Sequence, residues 1–117
     1  MAPDALLQSL RRRKEISITV RGRRTGRKIT LPVWFVLEDR MLWLLPVTGS
    51  RSQWFQNVLA DPTLILHAGQ LRKTVKADPV KGRALARRIA DLFREKYGRA
   101  DVARYYALFD ATVRVTL

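Results

Sequence analysis

At 117 residues the chain has material for one domain and is too short for two comfortable cores, and with 47% hydrophobic residues it is not a disordered tail. It has no cysteine, which excludes disulfides, thiolate metal sites and thiol chemistry. A net charge of +13 and a pI near 11.4 imply a polyanionic partner: nucleic acid, an acidic membrane surface or a phosphorylated ligand.

Met1-Ala2-Pro3-Asp4 leads into a short helix with Ala5, Leu6, Leu7 and Leu10 on its apolar side. No secretory apolar region follows and no run is long enough to span a bilayer, so the expected compartment is the cytoplasm. Ile16, Ile18 and Val20 then alternate with Ser17, Thr19 and Arg21, the pattern of a half-buried strand. After a turn at Gly22–Gly26, a second strand runs from about Lys28 to Leu37, with Pro32 placing part of it at an edge or a bulge. Glu38-Asp39-Arg40 turns into a third strand, Met41–Val47.

Ser50 with Gln53 reads as a capping box opening a short helix that buries Trp54, Phe55, Val58 and Leu59 and stops at Asp61-Pro62. Strands Leu64–Ala68 and Leu71–Ala77 flank Gly69. Asp78-Pro79 reads as the cap and first residue of a long helix carrying Leu85, Ile89, Leu92 and Phe93, with Gly98 as its left-handed stop. A segment around Asp101–Leu108 has helical character, and Thr112–Leu117 is the last strand. The expected fold class is therefore α+β, mainly β: one domain over 1–117, a six-stranded antiparallel sheet curled into a small barrel with helices packed outside. A flat sandwich with helices on one face is the alternative.

Side-chain catalysis is poorly supplied. His67 is the one histidine and sits in a short strand, where a structural or surface role is the plainer reading. No acidic or histidine cluster has metal-ligand spacing, and no nucleophile, base and acid fall together. If the protein is an enzyme, a bound cofactor brings the reactivity.

Two segments have the makings of a phosphate site. Arg21 to Lys28 sets five cations around two glycines, and an arginine fork suits phosphate, although the spacing is not that of a P-loop. Thr48 to Trp54 sets hydroxyls and Arg51 at a helix start, where unpaired N–H groups favour anions. The plain alternatives are a solvated basic hairpin and simple capping by Ser50. Trp34, Trp43 and Trp54 fit core packing, and Trp34, on the strand face opposite Leu31 and Val33, also suits the wall of a planar heteroaromatic ligand.

The run ITVRGRRTGRKITLPVWFVLEDRMLWLLPVTGSRSQWFQNVLADP, Ile18 to Pro62, resembles the deazaflavin-dependent nitroreductase family. It shares a Gly-basic-Thr-Gly turn, a Pro-x-Trp strand, a Gly-Ser loop and a Trp-Phe-x-Asn-x-x-Ala-Asp-Pro element. The Lys96-Tyr97-Gly98 and Ala103-Arg104-Tyr105-Tyr106 segments look like a branch of small bacterial domains of unassigned function beside that family. The resemblance implies a split β-barrel like pyridoxamine-phosphate oxidase, usually a homodimer. Its cofactor would be FMN or a deazaflavin (coenzyme F-420), held near the subunit interface.

Carried over, Arg23 and Arg24 contact cofactor phosphate from the turn, and Ser50 and Arg51 do so from the helix start. Leu31, Pro32, Val33 and Trp34 lie along the ring system. Trp54 and Asn57 fit the family's helix motif. Lys28-Ile29 stands where family members often have Pro-Arg, so the basic group of Lys28 is displaced onto the opposite strand face. The implied activity is oxidoreductase chemistry, hydride passing between bound cofactor and a small substrate. The alternative is a non-catalytic binding protein for flavin, haem or another anionic small molecule. Nucleic acid is the least favoured partner, because no nucleic-acid motif appears and the aromatics share no clear strand face with the arginines.

Overall fold

The computed structural model describes residues 5–117. The elements in chain order are α1 (Ala5–Arg11), β1 (Glu15–Arg21), β2 (Lys28–Glu38), β3 (Met41–Leu44), α2 (Gln53–Ala60), β4 (Thr63–Ala68), β5 (Leu71–Lys76), β6 (Asp78–Lys81), α3 (Arg83–Tyr97), α4 (Arg99–Tyr105) and β7 (Ala111–Thr116). Seven strands form one antiparallel sheet in the order β5-β4-β1-β2-β3-β7-β6. The outermost strands β5 and β6 are separated along the chain by Ala77 alone, so the sheet has to curl until its two ends meet. The result is a split β-barrel.

The expectation of six strands is corrected to seven. Asp78-Pro79 does not open the long helix; it begins β6, which pairs with β7, and Arg114 Nε donates to the Asp78 carboxylate at 2.6 Å. A proline with no N–H is tolerated there because β6 has a neighbour on one side only. Helix α3 starts later, after Gly82, and ends at Gly98, whose φ of 94° suits glycine.

The strand alternation builds the core. Ile16, Ile18 and Val20 of β1 point inward with Leu64 and Leu66 of β4, Phe35 of β2, Leu42 and Leu44 of β3, and Val113 and Val115 of β7. Leu10 of α1 and Phe55 and Val58 of α2 close this cluster from the barrel's ends. Further along β2 and β3 the alternation disappears, and both faces are apolar. Val36 and Trp43 point outward into a second cluster with Ile89 and Phe93 of α3, Val102 of α4 and Tyr106. Each large side chain buried this way contributes about 1.5–3 kcal/mol.

β2 belongs to two ladders. Glu15 to Arg21 of β1 pair with Trp34 to Lys28, whereas β3 pairs only with Phe35 to Glu38. The first part of β2, Pro32 included, therefore has β1 on one side and no strand on the other, the edge position that its proline demanded. β3 ends at Leu44 rather than the expected Val47, and the chain from Leu45 swings away from β2.

Candidate functional site

A cavity lies in this split between β2 and the chain that follows β3. It has a volume of about 480 Å³ and opens on one side. Leu31, Pro32, Val33 and Trp34 form one wall, Leu45 and Val47 another, with Trp54, Ser52, Tyr105, Tyr106 and Glu15 completing it. A mostly apolar cleft with a few polar groups and an unpaired strand edge is suited to a planar molecule with hydrogen-bonding margins.

Where β2 passes from one ladder to the other, the backbone of Phe35 needs partners. Phe35 N–H donates to the Tyr97 hydroxyl at 3.0 Å, and that hydroxyl lies 2.6 Å from the Lys14 carbonyl, to which it donates. Lys96 Nζ donates to the Phe35 carbonyl at 2.8 Å and lies 3.5 Å from the centre of the Phe35 ring. Tyr97 thus wedges between β1 and β2, and its ring stacks on Trp34 with centroids 4.1 Å apart and planes 5° from parallel. Tyr105 meets Trp34 edge-on at 5.6 Å. Burial pushes the Tyr97 phenol up to about 12 and raises that of Tyr106 as well, so both are neutral hydrogen-bonding groups at neutral pH. The same effect pulls the Lys96 ammonium down to about 8.

Of the residues expected to hold a cofactor, Leu31, Pro32, Val33, Trp34 and Trp54 come together in this cavity. The basic turn meets the start of α2. Arg23 Nη2 donates to Gln53 Oε1 at 2.9 Å, and its Nη1 and backbone N–H donate to Asn57 Oδ1 at 2.8 and 3.1 Å. Arg23 thereby anchors the turn to the helix, which accounts for the buried Asn57. Arg24 and Arg51 are exposed. Lys28 faces elsewhere, lining a smaller cavity of about 170 Å³ with Arg21, Asp61 and Thr63.

The capping-box expectation is corrected. Gly49–Arg51 forms a 3-10 turn, and the residue before α2 is Ser52, whose hydroxyl makes no capping bond. The backbone N–H and hydroxyl of Ser50 donate instead to the two oxygens of Asp110, at 2.7 and 2.6 Å. These bonds hold the Asp110 carboxyl below its ordinary value. Ser50 is thus satisfied by a carboxylate of the chain itself.

Glu15, Leu45, Val47, Ser52, Tyr105 and Tyr106 line the cavity without having been singled out from the sequence. Ser52 and the two tyrosines lie within segments that carried the family resemblance; nothing local marked Glu15 or Val47. His67 lies outside the cavity, its Nε2 2.7 Å from Thr19 Oγ1, a structural role in keeping with the plainer reading. Among the described residues no acidic or histidine cluster could hold a metal ion, and no helix is long and apolar enough to cross a membrane.

A family model described as "Uncharacterized protein conserved in bacteria (DUF2255)" matches residues 6–117. The chain belongs to the DUF2255 family. No curated protein matches it. Among solved structures, the DUF2255 chain is similar to an F420-H2 dependent reductase (FDR-A), at 21% identity and a TM-score of 0.66, covering 88% of this chain and 94% of that one. It is also similar to a pyridoxamine 5'-phosphate oxidase-related, FMN-binding protein from Nostoc punctiforme, at 13% identity and a TM-score of 0.61, covering 98% and 78%. A third similar structure is HutZ, the haem storage protein from Vibrio cholerae, at 15% identity and a TM-score of 0.69, covering 97% and 88%. At these identities the likeness establishes the split-barrel fold for this DUF2255 member.

Proposed function

We propose that this protein binds a phosphorylated flavin-type cofactor, FMN or the deazaflavin coenzyme F-420, and acts as an oxidoreductase on a small oxidised substrate. The observation that carries the reading is the cavity in the split of the barrel, where the open edge of β2 and the side chains of Leu31, Val33, Trp34 and Trp54 form a flat apolar wall. The open β2 backbone and the Trp34 and Trp54 indoles would hold a flavin-type ring there. The residues present fit such a group: the cavity is large enough for a tricyclic ring, and Arg24 and Arg51 are exposed cations on the two elements that Arg23 ties together.

When bound, such a cofactor supplies the hydride. The chain's own part is to fix the ring against β2, exclude water with Tyr105, Tyr106 and Val47, and offer neutral phenols as hydrogen-bond donors. Val47 and Tyr105 are 43% and 51% exposed at the rim of the cavity. We propose that a second copy of the chain covers this rim in a homodimer. Haem is less well served, because His67, the chain's one histidine, is outside the cavity and cannot supply an axial imidazole there.

The test is spectroscopic. Titration with FMN and with coenzyme F-420 is expected to shift the visible absorbance of the cofactor and quench tryptophan fluorescence at micromolar concentrations, and Trp54→Ala is expected to weaken binding at least tenfold. Absence of binding by either cofactor overturns the reading. Binding without turnover of a quinone or nitroaromatic leaves the non-catalytic alternative.

A further inference from the structure

Folding sorts the charge in a way the sequence order conceals. Residues 5–34 and 61–76, which make α1, β1, the first part of β2, β4 and β5, hold twelve Lys and Arg against two acids; the remaining described residues hold eleven against seven. These four strands share one outward face, and their register sets its layout. Thr74, Ile65, Thr19 and Thr30 form one row from β5 to β2, and Arg72, His67, Ser17 and Pro32 form the next. Arg72 and Lys76 stand on the β5 side of this face, Arg21 and Lys28 toward the β1–β2 turn, around a centre of hydroxyls.

The hydroxyls are already ordered: Thr19 Oγ1 lies 2.7 Å from both Thr30 Oγ1 and His67 Nε2. α1 and α2 send Leu10, Phe55 and Val58 into the cluster on the opposite side of the sheet, and Arg21, Lys28, Thr30, Arg72, Thr74 and Lys76 are exposed. Arg21 makes a loose ion pair with Asp61 at 3.5 Å, and among the described residues no acid pairs with Lys28, Arg72 or Lys76. The smaller cavity lined by Arg21, Lys28, Thr19 and Thr63 dents this same surface.

We propose that the outer face of the β5-β4-β1-β2 sheet binds the phosphate backbone of duplex nucleic acid without sequence preference. Charge complementarity selects the occupant. A second copy of the chain would bring like charges together. A membrane surface would engage apolar anchors, and the one large aliphatic side chain in the middle of this face, Ile65, is half-buried. Single strands gain much of their affinity by stacking on aromatic rings, and the indole at the end of this face, Trp34 opposite Glu15, is already stacked on Tyr97. What the face offers is cations and hydroxyls, the groups that contact phosphate and position a duplex without reading it. The site meets the cavity in the barrel split at Pro32, which borders both, and its four cations lie outside that cavity.

The test uses the full chain and a fluorescein-labelled 20-base-pair duplex DNA in an anisotropy titration between 50 and 200 mM salt. Binding is expected to weaken with a log–log salt slope of about −3 to −4, the release expected for roughly four phosphate contacts. Arg72→Gln/Lys76→Gln is expected to weaken binding at least tenfold and reduce the slope by about 2, with flavin titration unchanged. Arg21→Gln/Lys28→Gln reads the other end of the face if the β5 pair impairs folding. Arg87→Gln/Arg104→Gln, on exposed positions of α3 and α4, is expected to change little. Equal loss in this last variant, or binding to phosphatidylglycerol vesicles with none to duplex DNA, overturns the proposal. Loss of flavin binding alone leaves it standing.

Discussion

Asp110 shows how a single carboxylate can fix a loop that looks built for something else. Its oxygens take both the N–H and the hydroxyl of Ser50, and it packs so closely on Gly49 that a Cβ there would overlap Oδ1, at a φ of 56° that disfavours side chains in any case. Gly49→Ala is therefore expected to destabilise the protein by about 2 kcal/mol or more, read as a lower urea midpoint. The Thr48–Trp54 run was legible as a loop entering a helix, but not as one closed by its own acid. Asp110 lies 60 residues from Ser50, and a hydroxyl before a helix reads as a cap when no other partner is in sight. Lys96 carries a second prediction at this scale. Its amine has a folded value near 8, below the ordinary 10.5, so between those values the unfolded chain binds more protons and stability rises with pH. The stability of the wild type relative to Lys96→Met is expected to increase between pH 7.5 and 10, measured by urea unfolding at each pH.

At the scale of elements, the two-part β2 strand organises the molecule. Its extent was readable from the sequence, and the apolar run on both faces from Phe35 onward marks where α3 covers the sheet from outside. β6 was not readable: four residues beginning Asp-Pro carry a helix-start signal, and only pairing with β7 and the Asp78–Arg114 bond outweigh it. The cavity was half readable, since Leu31–Trp34 and Trp54 sit in motif segments, whereas Glu15 reaches it from the start of β1 beside Trp34 and Val47 through the divergence of the chain after β3 from β2. On the other edge of β2, Tyr97 fills the end of the β1–β2 ladder by substituting for a missing partner of Phe35. Tyr97→Phe keeps the ring on Trp34 but leaves the Phe35 N–H and the Lys14 carbonyl without their shared partner. It is expected to cost about 1–3 kcal/mol, seen as a lower denaturant midpoint at unchanged slope. A change in flavin-type binding larger than this stability loss explains would tie the wedge to the cavity's shape.

For the whole molecule, charge is the dominant unsettled force. A net charge of +13 on a chain whose Cα radius of gyration is 13.5 Å sets many cations within a Debye length of one another at low salt. The ion pairs Arg88–Glu38, Arg94–Asp91 and Arg114–Asp78 all lie in the better-neutralised part, while the sheet's basic face has the looser Arg21–Asp61 pair at 3.5 Å. Self-repulsion there opposes folding, because the unfolded chain can spread the same charges apart. Screening relieves it, so the thermal midpoint is expected to rise by several degrees between 10 and 200 mM sodium chloride in scanning calorimetry. Arg72→Gln/Lys76→Gln is expected to start higher at low salt and rise less. Charge removal from the helical side, as in Arg87→Gln/Arg104→Gln, is expected to move the low-salt midpoint less, because Asp91, Glu95 and Asp101 on α3 and α4 already offset those cations. Equal shifts in the two double variants would mean that the charge acts as a uniform shell, and that the sorting of cations onto one sheet has no consequence for stability.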